Sequence, residues 1–185
     1  MPHSALATGS KSALVVDDHP LFCDALTLTL KSIAPFDDIR TADRPEAAIE
    51  TLESAPKPDV IFLDLNLPDV NGLDGLMRLR AAAPRVPVVV VSSMTDNKMI
   101  ARTLRAGASG FVPKHSQRSV FRDAFDAVQS GQTYTPDGYV AAQGGEMEAG
   151  GDALTRMASL TNQQARILEL VCEGKLNKQI AYDLS

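Results

Sequence analysis

The sequence predicts an α/β fold, a doubly wound parallel sheet with helices on both faces. Short apolar runs recur at intervals of about 20 to 25 residues, and segments with helical period lie between them, which is the alternation of βαβ units. The third and fourth runs are continuously apolar, as expected of central strands buried on both faces. The five predicted strands are Ala13–Val16, Ile39–Ala42, Val60–Leu63, Val86–Val91 and Gly110–Pro113.

Start and stop signals place three of the intervening helices. Asp43 is expected to cap a helix that has Pro45 in its first turn, because a side-chain oxygen can accept the free N–H groups there and proline has none to satisfy. Residues Asn97 to Ala106 are expected to form a helix that Gly107 ends, since glycine favours the position after a helix. The last helix of the series has Ser116 as its predicted cap.

The composition indicates a globular protein, with 44% of the 185 residues apolar and 22% charged. No run approaches the roughly 20 apolar residues of a membrane span, and the first residues lack the apolar core of a signal peptide. We therefore expect a cytoplasmic protein with no membrane partner. Cys23 and Cys172 have no metal-ligand spacing, so they are expected to be small thiols that are buried or partly buried.

The charge balance is acidic along the whole chain. The net charge is −5, and neither residues 1–135, with 14 basic against 16 acidic side chains, nor residues 136–185, with 4 against 7, are basic. A surface that binds the phosphate backbone is expected to be basic. No DNA-binding residue is therefore predicted within this chain.

The C-terminal part of the sequence has a different texture. Residues 136–151 are rich in glycine and poor in apolar side chains, which is typical of a linker. Thr161 and Gln164 have the spacing of a capping box, and an apolar stripe then continues to Gly174. Residues Asn177 to Leu184 begin one further short helix.

Polar side chains follow four of the five predicted strands. Asp17 and Asp18 close the first strand, Asp64 the third and Ser92 the fourth, and Lys114 follows the fifth. These side chains should converge, because ligands bind at the carboxyl ends of the strands in an open α/β sheet. The three carboxylates and the lysine sum to −2, so the cluster either holds a proton or recruits a hard divalent cation, for which Mg²⁺ is the expected ion.

With Mg²⁺ bound, the cluster would be neutral and could receive a phosphate group. The arrangement suits phosphoryl transfer onto Asp64, with Lys114 and Ser92 binding phosphoryl oxygens. Each residue alone has an ordinary alternative: Asp64 as a helix cap or loop carboxylate, Ser92 as a turn hydroxyl, Lys114 as a surface charge and Phe111 as a core residue. The coincidence of the four strand-end features is what favours the site.

The same residues belong to recognisable motifs. These motifs are Val15–Pro20, Asp59–Pro68 with Gly72 beyond it, Ser92, and Gly107–Lys114. On these motifs, residues 11–131 resemble a response-regulator receiver domain of two-component signalling. The resemblance implies a (βα)₅ flavodoxin-like fold with the parallel strand order 2-1-3-4-5.

The resemblance also implies roles for the acidic residues. Asp64 resembles the phospho-acceptor. Asp17 and Asp18 resemble the acidic pair that holds Mg²⁺ together with Asp64 and the backbone carbonyl of Asn66.

Three further residues resemble the switch elements of the family. Ser92 and Lys114 correspond to the phosphoryl-binding hydroxyl and lysine, and Phe111 to an aromatic side chain that turns inward on activation. The physical expectation is that a new dianion draws Ser92 toward it and frees space for Phe111. His115 follows the lysine where proline is common in the family, and Pro113 precedes it, so the cis peptide bond of the family is not assumed at this junction.

The C-terminal segment resembles the opening of a LuxR-type helix-turn-helix domain, which would place the protein in the NarL/FixJ class. The residues that carry this resemblance are Leu160–Leu170, Gly174 and Asn177–Ala181, although Gln163, Gln164 and Gln179 stand where Arg, Glu and Glu are usual. The pattern stops before the recognition helix that would enter the major groove. The predicted organisation is a flexible N-terminus (1–10), a receiver (11–135), a linker (136–153) and a truncated helix-turn-helix domain (154–185).

The function expected from these features is that of a signalling protein. A sensor histidine kinase would phosphorylate Asp64, and the intact protein would control transcription by binding DNA. No enzyme activity is expected beyond self-phosphorylation from small donors and autodephosphorylation. Self-association is expected through the fourth and fifth receiver helices or through the C-terminal segment.

Two alternatives stay open. One is a receiver that acts only through protein–protein contacts. The other is a phosphatase of the haloacid dehalogenase type, which needs a second acid two residues after the nucleophile. Asn66 stands at that position, and an amide cannot transfer the proton.

Overall fold

A computed structural model describes residues 10–68 and 73–140 of the chain. The chain divides into two units, residues 1–141 and 142–185. The predicted helix-turn-helix segment (154–185), most of the linker (136–153), Gly72 and Cys172 lie outside the described residues, as does nearly all of the predicted flexible N-terminus.

Five strands alternate with five helices in the described part of the chain. The strands are β1 (Lys11–Val16), β2 (Phe36–Ala42), β3 (Val60–Leu63), β4 (Val88–Ser92) and β5 (Gly110–Pro113). The helices are α1 (Pro20–Ile33), α2 (Pro45–Ser54), α3 (Asp74–Ala82), α4 (Asn97–Arg105) and α5 (Arg118–Gln129).

The sheet has the order β2-β1-β3-β4-β5, and all four pairings are parallel. This confirms the predicted doubly wound fold and its strand order. Parallel strands joined by crossover helices leave every strand's carboxyl end on the same edge of the sheet. The residues that follow the strands are therefore gathered on one side of the molecule.

Alternate residues of each central strand enter two separate cores. One core lies under α1 and α5 and contains Val15, Phe62 and Val91, with Phe62 and Phe121 packed at 6.5 Å between ring centroids. The other lies under α2, α3 and α4 and contains Leu63, Val90 and other fully buried side chains. Burial on both faces explains why β3 and β4 are continuously apolar in the sequence.

The edge strand β2 is longer than its apolar pattern predicted. It begins at Phe36 rather than Ile39, because the Phe36 ring is buried against Phe125, with 4.9 Å between the ring centroids. Asp37 and Asp38, which lie between Phe36 and Ile39, are exposed. Because these two residues are polar, the apolar pattern of the sequence did not include the first part of the strand. Small shifts also separate the predicted and observed bounds of β1 and β4.

The predicted helix caps were wrong in two cases. The N-cap of α2 is Arg44, not Asp43, and that of α5 is Gln117, not Ser116, and neither makes a side-chain capping bond. Proline at the start of α2 removes one N–H group that a cap would satisfy. The helix α4 is capped by Asp96, which accepts a hydrogen bond from the Met99 amide.

The end of α4 agrees with the prediction. Gly107 follows this helix with a φ of 95°, a conformation that glycine adopts without strain. The peptide bonds of the described residues are all trans. None of the helices in this part of the chain is long and apolar enough to cross a membrane.

Candidate functional site

The strand pairing places the predicted site residues side by side. Val16 of β1 is in register with Leu63 of β3, so Asp17 and Asp64 follow neighbouring strands at the same level. The Asp64 amide donates to the Val16 carbonyl at 2.9 Å, which continues the ladder by one residue. On the far side of β4, the Lys114 amide donates to the Ser92 carbonyl at 3.0 Å.

Lys114 bridges two buried carboxylates. Its Nζ lies 2.7 Å from Asp17 Oδ2 and 2.7 Å from Asp64 Oδ2, and the side chains of both acids are almost completely buried. Burial alone would lower the pKa of Lys114, but its contacts with Asp17 and Asp64 stabilise the ammonium more and raise the pKa above its ordinary value. Lys114 is therefore protonated at neutral pH and places a positive charge at the centre of the site.

An aromatic ring on α1 also contacts this lysine. Nζ of Lys114 lies 4.7 Å from the ring centroid of Phe22, which is within the range of a cation–π interaction. Phe22 is partly buried against the core under α1 and α5. The lysine is thus held by two carboxylates and by the face of one ring.

The acidic residues form a compact group of oxygen donors. Asp17, Asp18, His19 and Asp64 each offer one ligand atom, and these atoms all lie within 4.8 Å of one another. Three carboxylates lie this close together, and Lys114 contributes one positive charge to them. Like charges that share a small volume repel, and a hard divalent cation that prefers oxygen ligands would offset the excess negative charge. The residues present therefore fit Mg²⁺.

Asn66 contacts the site through its backbone. Its amide donates to Asp64 Oδ1 at 3.1 Å, and the residue itself is exposed. Because Lys114 contacts the other oxygen of Asp64, both carboxylate oxygens have a partner.

The two remaining predicted switch residues lie in the interior. The Ser92 hydroxyl is fully buried and accepts a hydrogen bond from the Met94 amide at 3.2 Å, so its own proton is available to another acceptor. Phe111 is fully buried in the core under α2, α3 and α4. It already occupies an inward position in this structure, and its rotation on activation stays a prediction.

Three residues near the site were not given a role from the sequence. His19 contacts Asp17 and Asp18, and Phe22 contacts Lys114; the only signal for either was its closeness in sequence to the acidic pair. Cys23 is buried, as predicted, and its thiol lies 3.4 Å from the Asp17 carbonyl. Burial, followed by the charge of Asp17, raises the pKa of this thiol, which keeps it protonated.

Comparison with known proteins identifies the family. The response regulator receiver domain matches residues 13–126, more than half of the chain. The chain belongs to the response regulator family.

Relatives of this response regulator are transcriptional regulators. It is 35% identical to the glycerol metabolism activator of Pseudomonas putida over 92% of the chain and 80% of that protein. It is 31% identical to the transcriptional regulatory protein MctR of Rhizobium johnstonii over 92% of the chain and 77% of that protein. Among solved structures, it resembles a LuxR family DNA-binding response regulator from Silicibacter pomeroyi, with a TM-score of 0.61 and 28% identity over 70% of the chain and 99% of that structure.

These similarities define the class of protein. The chain is a two-component response regulator of the LuxR/NarL class that controls transcription, and its receiver is a signalling domain rather than an enzyme. The phosphatase alternative is therefore excluded. The residue two positions after Asp64 is Asn66, whose side-chain amide cannot transfer the proton that such a phosphatase needs.

Proposed function

We propose that Asp64 of this response regulator accepts a phosphoryl group from a phosphohistidine of a sensor kinase. The observation that carries the proposal is the environment of Asp64: a buried carboxylate at a strand end, 2.7 Å from a lysine ammonium and within a group of acids that fits a divalent cation. A carboxylate in this position can be a nucleophile, and the nearby cations compensate the charge of the incoming phosphate.

The proposed transfer forms one bond and breaks another. An oxygen of Asp64 attacks phosphorus in line and the P–N bond to the histidine breaks. The imidazole, protonated on its other ring nitrogen, takes the electron pair of that bond and leaves as the neutral ring. The product is an acyl phosphate. Both oxygens of Asp64 have partners in this structure, so Lys114 must release Oδ2 as its ammonium moves to a phosphoryl oxygen.

Mg²⁺ would be held by carboxylate oxygens of Asp17, Asp18 and Asp64 and by the backbone carbonyl of Asn66. When bound, it supplies positive charge that offsets the repulsion between the carboxylates and the phosphoryl oxygens. Lys114 keeps Asp17 in place through a contact with Oδ2. The other oxygen of Asp17 remains on the side of Asp18 and His19.

The signal would leave the site through Ser92. In this structure the hydroxyl oxygen accepts a hydrogen bond from the Met94 amide. The hydroxyl proton can therefore be donated to a phosphoryl oxygen. A shift of Ser92 changes the end of β4. This end is paired with β5, where Ser92 is in register with Pro113 and Val90 with Phe111. Because Phe111 packs in the core under α4, α4 is the element through which the change would reach the surface.

The intact protein would use this signal to control DNA binding. The support is the similarity to a LuxR family DNA-binding response regulator and the resemblance of residues 160–181 to the opening of a helix-turn-helix domain. Self-association through α4 and α5, or through residues 154–185, stays a prediction, as does a receiver that acts through protein contacts alone.

The test uses acetyl phosphate with Mg²⁺ as the phosphodonor and intact-protein mass spectrometry as the readout. We expect the mass of one phosphoryl group on the native chain, its loss on treatment with hydroxylamine, and none on Asp64→Asn. Asp123→Asn, which changes an exposed acid on α5, is the matched control and should be phosphorylated like the native chain. Uptake of phosphate by Asp64→Asn would refute the assignment.

A further inference from the structure

Lys114 reaches across the sheet to the acids that it contacts. It follows β5, whereas Asp17 follows β1, and β4 and β3 lie between these two strands. Its ammonium lies 2.7 Å from an oxygen of Asp17 and 2.7 Å from an oxygen of Asp64. The lysine side chain is a long and flexible stem, so conformational entropy opposes holding its ammonium at one point. The placement of this charge therefore depends on every group that surrounds it.

Phe22 supplies a third contact, from the first turn of α1. The ammonium of Lys114 lies 4.7 Å from the centroid of the Phe22 ring. The face of an aromatic ring carries partial negative charge, and it attracts a cation most strongly where water is excluded. The side chain of Lys114 is only 10% exposed, so little water competes for the ammonium. The ring is itself held in place, because it is partly buried against the core under α1 and α5.

The ring is the contact of Lys114 that the proposed reaction leaves unchanged. Asp64 bonds to phosphorus in the transfer, and the ammonium releases its oxygen. Asp17 is a proposed ligand of Mg²⁺, so the metal competes with Lys114 for the charge of this acid. Mg²⁺ takes oxygen ligands, and neither it nor an anionic phosphoryl group competes for the apolar ring. Phe22 can therefore hold the ammonium while both acidic partners change.

We propose that Phe22 is a positioning residue for phosphoryl transfer to Asp64, and that the face of its ring holds the ammonium of Lys114 where the phosphoryl oxygens arrive. Phe22 acts through Lys114 and not on the phosphate itself. A positive charge that is in place before the transition state needs no reorganisation when negative charge develops beside it. The inference rests on the proposed function, because it concerns the rate of the same reaction.

The test changes the charge of the ring face and nearly keeps its size. In the full-length chain, Phe22 is replaced by phenylalanines whose rings carry one, two or three fluorine atoms, which withdraw electron density from the ring face. Phosphorylation by acetyl phosphate with saturating Mg²⁺ is followed in time by intact-protein mass spectrometry. Phe36 receives the same fluorine series as the matched control. Its ring packs against Phe125, and it pairs with Lys11 at the amino ends of the strands, the end of the sheet opposite the site.

We expect each added fluorine on Phe22 to slow the phosphorylation further, to a total of about tenfold with three fluorine atoms. Phe22→Leu, which has no ring, should be at least as slow as the trifluorinated chain. The series at Phe36 should leave the rate nearly unchanged. Equal rates throughout the Phe22 series would overturn the proposal, and so would an equal slowing by the Phe36 series.

A double-mutant cycle separates the cation–π contact from packing. Urea unfolding is measured for the native and the trifluorinated ring at Phe22, each in a chain with Lys114 and in a chain with Lys114→Met. We expect fluorination to lower the urea midpoint when Lys114 is present and to leave it nearly unchanged in Lys114→Met, because only the first chain has a cation on the ring. The same shift in both chains would mean that the ring acts through packing alone, and the proposal would be wrong.

The outcome is separable from that of the proposed function. If the native chain takes up no phosphate on Asp64, the phospho-acceptor role fails, and the positioning role of Phe22 fails with it. If the native chain is phosphorylated and fluorination of Phe22 does not change the rate, the positioning role alone fails.

Discussion

Replacing Lys114 with methionine should destabilise the fold and make its stability depend strongly on Mg²⁺. The ammonium lies 2.7 Å from one oxygen of Asp17 and 2.7 Å from one oxygen of Asp64, so these two oxygens are at most twice that distance apart. Two unit charges about 5.4 Å apart at an effective dielectric constant of about 20 repel each other by about 3 kcal/mol. Methionine fills similar space but leaves this repulsion uncompensated.

The assay is urea unfolding at neutral pH, with and without Mg²⁺, of the native chain and of Lys114→Met. We expect the free energy of unfolding to fall by about 3 kcal/mol without Mg²⁺, and Mg²⁺ to stabilise the variant more than the native chain. Lys98→Met, which removes an exposed lysine of α4, is the control and should change the stability by less than about 0.5 kcal/mol. If Lys114→Met loses no more stability than this control, the electrostatic reasoning is wrong.

Three further predictions concern single features of the fold. The pKa of Lys114 is raised above 10.5 in the folded chain. The ion pairs of Lys114 therefore contribute fully to stability below pH 10.5, and this contribution is lost as the pH rises through the pKa of the folded state. In urea unfolding at alkaline pH, the native chain should lose stability more steeply than Lys114→Met. Asp96→Ala removes the side-chain bond to the Met99 amide and should cost about 1 kcal/mol, whereas Asp96→Asn should cost little. Gly107→Ala should destabilise the fold by about 1 kcal/mol or more, because the φ of 95° is strained for alanine. The new methyl group would also meet the end of the Arg80 side chain, which can move away. Thermal unfolding of Arg80→Ala/Gly107→Ala should therefore show no recovery of this loss.

The layout of the sheet was predictable because the sequence repeats one pattern, a short apolar run followed by a segment with helical period, five times. The central strands β3 and β4 are buried on both faces, so their apolar runs are uninterrupted and their ends are easy to recognise. β2 is an edge strand, and its exposed Asp37 and Asp38 resemble a loop. Its true start at Phe36 depends on a contact with Phe125 of α5, almost 90 residues further along the chain, which no local pattern contains.

The site was predictable to the level of which residues meet, and less so to the level of atoms. Residues that follow parallel strands share one edge, so the meeting of Asp17, Asp64 and Lys114 follows from the fold. The sequence does not contain the information that one ammonium contacts both acids, because that depends on the reach and rotamer of the lysine. The contacts of His19 and Phe22 depend on how α1 leaves β1, which is a property of tertiary packing.

The stacking of Lys114 on Phe22 makes the state of the site open to optical measurement. The chain contains no tryptophan, so Phe22→Trp would introduce a single indole 4.7 Å or so from the ammonium that must move when a phosphoryl group arrives. An indole keeps the cation–π contact, and its emission responds to the distance of a neighbouring charge. The protein thus has a built-in position for a fluorescent reporter, from which the lifetime of the phosphorylated state could be followed in real time without a label.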